Sequence, residues 1–172
     1  DDEPVGPGES GEICVRGPLV MTGYKDLPGE TAEALSGGWL HTGDVGRFDD
    51  DGFLYIVDRT KDMVITGGFN VFPREVEDVI SQHPAVNTVM VIGVPDSKWG
   101  EAVKAVVVLQ PGESPSDELS WELQAMVKQA KGSQQSPKSI DYVDTLPVTA
   151  VGKLDKKAVR SRYWGDTGRA IS

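Results

Sequence analysis

Two runs dominated by valine, Val86 to Val94 and Ala102 to Leu109, stand out along the chain and are too β-branched to form helix. They predict two long strands. Helical spacing appears on either side of them. Pro73 suits a first helical position and Glu75 favours the N-terminal dipole. Val76, Val79 and Ile80 share one face, which predicts a helix from Pro73 to about His83. Ser116 can cap a second helix running to about Ala130, with Leu119, Leu123, Met126 and Val127 at helical intervals. A strand near Ser139–Val143 and a short helix near Lys156–Arg162 follow.

The first sixty residues have a different pattern. Glu12 to Arg16 predicts a strand punctuated by Gly11 and Gly17, and Glu30 to Leu35 a short helix. Val45–Phe48 and Phe53–Val57 predict a hairpin, with Asp51-Gly52 supplying the positive φ of a tight turn. Its second strand is apolar on both faces and should be covered on both sides. At Asp58-Arg59-Thr60-Lys61-Asp62 the apolar pattern stops, which marks a domain boundary. Beyond it, starting with a short strand Met63–Thr66, the order β-α-β-β-α-β-α predicts a compact α+β domain of about a hundred residues.

Composition narrows the function classes. With 38% hydrophobic and 26% charged residues the chain is globular in character, and no apolar run reaches the length of a membrane span. The acidic start, Asp-Asp-Glu-Pro with no initiating Met, is unlike a secretory leader and predicts a fragment of a longer chain. Net charge of −10 argues against nucleic acid as a partner. Residues 1–60 carry 13 acidic and 4 basic side chains, whereas residues 150–172 carry 2 and 6. That basic end suits either a phosphate-bearing ligand or an acidic neighbour. The single cysteine, Cys14, excludes an internal disulfide and a cysteine-built zinc site, and is expected to be small hydrophobic filler. Two histidines, His41 and His83, are too few for a histidine-built metal cluster, so no metal site is expected.

Three polar, glycine-bearing stretches interrupt the pattern: Trp39-Leu40-His41-Thr42-Gly43-Asp44, then Asp58 through Pro73 with Gly67-Gly68 inside it, then Leu146-Pro147-Val148-Thr149-Ala150-Val151-Gly152-Lys153. Each is weak alone. In this order and spacing they resemble the acyl-adenylate-forming, AMP-binding superfamily of acyl-CoA synthetases, luciferases and peptide-synthetase adenylation domains, over nearly the whole chain.

The resemblance implies that residues 1–60 end a large N-terminal AMP-binding domain and that residues 61–172 form its small mobile C-terminal domain, a short mixed sheet flanked by helices. It implies an ATP-dependent enzyme that activates a carboxylic acid, with a fatty acid the first expectation, as acyl-AMP and passes it to coenzyme A. The alternative is an adenylation domain loading a carrier protein. The phosphate-binding loop, the acyl pocket and most of the Mg²⁺ binding would lie upstream, so this fragment alone is expected to be inactive. A cytoplasmic location is implied, with no integral membrane segment, and homodimer formation is left open.

Roles follow by resemblance. Asp44 would accept hydrogen bonds from the ribose hydroxyls of ATP, a task suited to an acceptor-only carboxylate. Arg59, with its fixed charge and planar fork of donors, would lie near ribose and phosphates; the lesser alternative is a surface ion pair with Asp58 or Asp62. Lys61 falls at the hinge position. Gly67 and Gly68 would line the coenzyme A thiol tunnel, and Trp99 would lie beside coenzyme A. Lys153 completes the Pro-x-Thr-x-x-Gly-Lys signature from Pro147 and would offset charge at the α-phosphate during adenylation. Two departures stand out. Phe69 replaces an acidic residue common in relatives, and Lys131 to Lys138 is longer and more polar than the family's Tyr-Lys-x-Pro segment.

Overall fold

The computed structural model describes residues 3–165. The chain divides into two compact units, residues 1–61 and 62–172.

In the first unit, β1 (Gly11–Val15), β2 (Leu40–Phe48) and β3 (Leu54–Arg59) form an antiparallel sheet in that order, with α1 (Pro28–Ala34) between β1 and β2. The β2–β3 turn follows the sequence expectation. Asp49 accepts the Asp51 and Phe53 backbone N–H groups on Oδ1, and the Phe53 N–H above all holds its carboxyl below the usual range. Within the described residues, β3 is not covered on both faces. Leu54, Tyr55 and Ile56 are exposed, and Val45 and Val57 are the buried hydrophobics among the unit's described residues.

The second unit carries its own interior. Strands β4 (Val64–Thr66), β5 (Phe69–Val71), β6 (Val86–Asp96), β7 (Gly100–Leu109) and β8 (Ser139–Tyr142) form one mixed sheet, β5-β4-β7-β6, with β8 parallel to β7. Strands β4 and β5 pair through Val64↔Val71 and Thr66↔Phe69, so Gly67-Gly68 is the tip of a hairpin. That hairpin inserts a strand into the anticipated order. Phe69–Val71 is too short and too close to two glycines to have an independent pattern in the sequence.

Helices α2 (Pro73–Ile80) and α3 (Asp117–Lys131) cover one sheet face and α4 (Lys156–Trp164) the other. Alternation on β6 and β7 explains the valine runs. Val89, Val91, Val103, Ala105 and Val107 meet Val76, Ile80, Leu123 and Val127. Met90, Ile92 and Val106 meet Val159. Ser116 caps α3 by accepting the Leu119 N–H, and Asp155 caps α4 by accepting that of Ala158.

Ion pairs lock the helices together. Lys131 of α3 reaches Glu75 at 2.8 Å, Lys156 of α4 reaches Glu77 at 2.9 Å, and Arg160 reaches Asp62 at 3.0 Å. Two cations of the basic end thus dock on acidic neighbours. The long segment after α3 is also tied down. Ser136 donates to the Gln124 carbonyl, Gln124 to that of Pro137, and the Lys138 N–H to that of Val103. Beneath α4, Asp141 accepts from Lys104 and from the Tyr163 hydroxyl, both at 2.6 Å. Burial pushes the Asp141 carboxyl up, but these two donors more than offset it and hold it below its ordinary range. Burial first, then the bond to Asp141, pushes the Tyr163 phenol up to about 12.

Candidate functional site

The residues singled out in the sequence fall into three clusters, one in the first unit and two in the second. Asp44 and Arg59 face each other as cross-strand partners on β2 and β3, and Arg59 Nε donates to Asp44 Oδ1 at 3.1 Å. The partner of Arg59 is therefore Asp44, not Asp58 or Asp62. Asp58 is buried and turns its Oδ1 back to the Arg59 backbone N–H.

A bulge presents Asp44. Between the pairs Cys14↔His41 and Glu12↔Val45, β1 has one residue, Ile13, while β2 has three, Thr42 to Asp44. The extra chain is held by side chains rather than by the ladder. Thr42 Oγ1 donates to the Ile13 carbonyl at 2.8 Å, and the Asp44 N–H donates back to that hydroxyl. Glu12 Oε1 accepts the Gly43 N–H at 2.9 Å. Threonine and aspartate were visible in the sequence as a polar stretch; Glu12 was not, because it lies thirty residues away and joins only through the register.

Gly67, Gly68 and Trp99 come together at the β4–β5 hairpin. The Gly67 N–H donates to the Trp99 carbonyl at 3.0 Å, and a Cβ on Gly67 would lie 2.5 Å from Trp99 Cε3. Glycine is therefore required by close approach. Asp96 Oδ1 accepts both the Lys98 and Trp99 N–H groups at 2.9 Å, fixing the turn that carries the indole. Lys98 Nζ lies 4.6 Å over that ring, a contact the sequence reading missed. Ile65 and Phe69 beside this tip are exposed.

Lys153 sits on a third hairpin, and the signature explains itself. The Thr149 N–H donates to the Lys153 carbonyl at 2.7 Å, and Lys153 N–H donates to Thr149 Oγ1 at 3.2 Å. Gly152, at φ 77, closes the turn by donating to the Thr149 carbonyl. Val148 and Leu154 pair across the stem, and Asp155 N–H reaches the Pro147 carbonyl. Thr and Gly thus build a rigid turn from which an exposed lysine projects. Lys61 is exposed, central in the single turn Thr60–Asp62, and is the last residue of the first unit.

Cys14 is exposed rather than filler in an interior. Its Sγ lies 3.6 Å from His41 Nδ1, which is 3.0 Å from Glu12 Oε2. No helix among the described residues is long and apolar enough to cross a membrane.

Comparison with known proteins gives these clusters a context. Residues 75–153 match the family model of the AMP-binding enzyme C-terminal domain. The chain is 60% identical to the medium/long-chain-fatty-acid–CoA ligase FadD8 of Mycobacterium tuberculosis, over 98% of this chain and 30% of that protein. It is 48% identical to a feruloyl-CoA synthase of an Amycolatopsis species, over 94% of this chain and 32% of that one. Among solved structures, the amide bond synthetase McbA of Marinactinospora thermotolerans superposes with a TM-score of 0.84 at 44% identity, over 95% of this chain and 33% of that one. The chain spans about a third of the length of these relatives.

Proposed function

Because the chain belongs to the AMP-binding enzyme superfamily, with that family's C-terminal domain at residues 75–153, we propose that it is the C-terminal part of an ATP-dependent acid–thiol ligase. Residues 1–60 would complete the large AMP-binding domain, and residues 61–172 would form the small domain that moves against it. In the first half-reaction a carboxylate oxygen attacks the α-phosphorus of Mg·ATP. The bond to the bridging oxygen breaks, and acyl-AMP and pyrophosphate result. In the second, the thiol of coenzyme A loses its proton, attacks the acyl carbonyl, and AMP leaves.

In this reading Asp44 accepts from the ribose hydroxyls while Arg59, already aligned on its carboxylate, keeps donors for phosphate oxygens. Lys153 offsets charge at the α-phosphate during adenylation. A turn about Lys61 then withdraws it and brings the Gly67-Gly68 tip, with Trp99, to the coenzyme A thiol path. The observation that carries the reading is the exposed lysine on its stiff hairpin, a group built to be delivered to a ligand outside its own unit.

A fatty acid is the proposed acid, supported by the 60% identity to a fatty-acid–CoA ligase. Coenzyme A is favoured over a carrier protein because the two curated relatives named above carry CoA in their names. Its substrates suit a cytoplasmic enzyme of fatty acid metabolism, and a homodimer is the assembly to look for. The test is incubation of the full-length protein with Mg·ATP, coenzyme A and a panel of fatty and aryl acids, following AMP and thioester. Fatty acyl-CoA should form with AMP in equal amounts. Production of ADP, or AMP without thioester, would contradict the reading.

A further inference from the structure

We propose that Glu12, Cys14 and His41 form a tripodal binding site for a borderline-soft divalent cation of the zinc class, sharing Glu12 with the bulge that presents Asp44. The sequence argued against sites built from cysteine alone or histidine alone; the fold assembles a mixed one. Cys14 and His41 are directly opposed on β1 and β2, and Glu12 lies two residues before Cys14, on the same strand face.

The ligand atoms Glu12 Oε2, Cys14 Sγ and His41 Nδ1 all lie within 4.8 Å of one another. Zinc bonds of about 2.3 Å to sulfur and about 2.0–2.2 Å to nitrogen and oxygen, at tetrahedral angles, set N···S at about 3.6 Å and N···O at about 3.4 Å. The protein holds its N···S pair at 3.6 Å and its N···O pair at 3.0 Å. The N···O pair must open by a few tenths of an ångström, and the S···O pair, held within 4.8 Å, must settle at about 3.6 Å. One thiolate, one imidazole and one carboxylate select zinc over magnesium or calcium, which take oxygen ligands.

The site also has an outer support. Glu12 Oε1 accepts the Gly43 N–H at 2.9 Å, which orients the carboxylate and leaves Oε2 turned toward the other two ligands. Cys14 is exposed among the described residues, which leaves an ion an entry path.

The experiment uses the full-length protein stripped of metal with a chelator. Titration with Co²⁺ should produce thiolate-to-cobalt charge transfer in the near ultraviolet together with visible bands of tetrahedral cobalt, and Zn²⁺ should abolish both. Cys14→Ser should remove the charge-transfer band, and His41→Gln, which removes a direct ligand, should weaken zinc binding. Glu12→Gln serves as the variant closest in shape, and circular dichroism checks that each one folds. No cobalt binding, a spectrum lacking the charge-transfer band, or a zinc affinity untouched in folded Cys14→Ser and His41→Gln would overturn the proposal.

Discussion

Strands β3 and β6 are both strongly apolar, yet they are used differently. On β6, Val91 and Ile92 are fully buried on opposite faces, one under α2 and α3, the other under α4. On β3, Leu54, Tyr55 and Ile56 remain 46%, 54% and 57% exposed. The difference teaches that the second unit is sealed by its own helices, whereas the first, within the described residues, supplies one layer of sheet with little interior of its own. Stability should reside in the former.

The largest expected effect comes from separating the two. Residues 62–172 expressed alone should unfold cooperatively in urea, followed by circular dichroism, whereas residues 1–61 alone should show no cooperative transition. A sharp transition in residues 1–61 would break the comparison. Next, Ile80→Ala in the intact chain should cost about 2–5 kcal/mol of stability in the second unit, because a fully buried side chain leaves a cavity. Ile56→Ala should stay within about 0.5 kcal/mol, as expected for an exposed site. Equal losses would mean that β3 is covered after all.

A smaller effect should come from Tyr163→Phe, about 1.5–3 kcal/mol for the lost hydrogen bond to the charged Asp141 carboxylate. Its pH signature is the sharper test. The Tyr163 phenol is raised from 10.0 to about 12, so the stability tied to its neutral form is full below pH 10 and disappears as pH rises through about 12. Asp141 is lowered from 3.8, so its contribution holds above that value and is lost as pH falls below it. Denaturation midpoints across pH should show both flanks in the native chain, and the alkaline one should vanish in Tyr163→Phe. An unchanged alkaline flank would assign it elsewhere.

Much of the fold was legible because its signals are local. Valine runs gave β6 and β7, Ser116 gave the start of α3, and Asp51-Gly52 gave the hairpin. What the sequence concealed was set by register and by neighbours. Strand β5 hid behind two glycines. The exposure of β3 could not be inferred, because an apolar strand does not say what covers it. Asp44 and Arg59 were both singled out, but their mutual ion pair depends on a cross-strand pairing after a bulge. The cluster of Glu12, Cys14 and His41 was missed for the same reason. Lys153 was the most legible residue, since the Thr149 and Gly152 that build its turn are part of its own signature.

That lysine also offers the most direct test. On the proposed reading, Lys153→Ala in the full-length protein should lower acid-dependent pyrophosphate exchange by about 100- to 1,000-fold, the usual cost of removing one oxyanion-stabilising donor. Thioester formation from supplied acyl-adenylate and coenzyme A should remain close to that of the native protein. An equal loss of both half-reactions, or no loss of either, would contradict the assignment of Lys153 to adenylation.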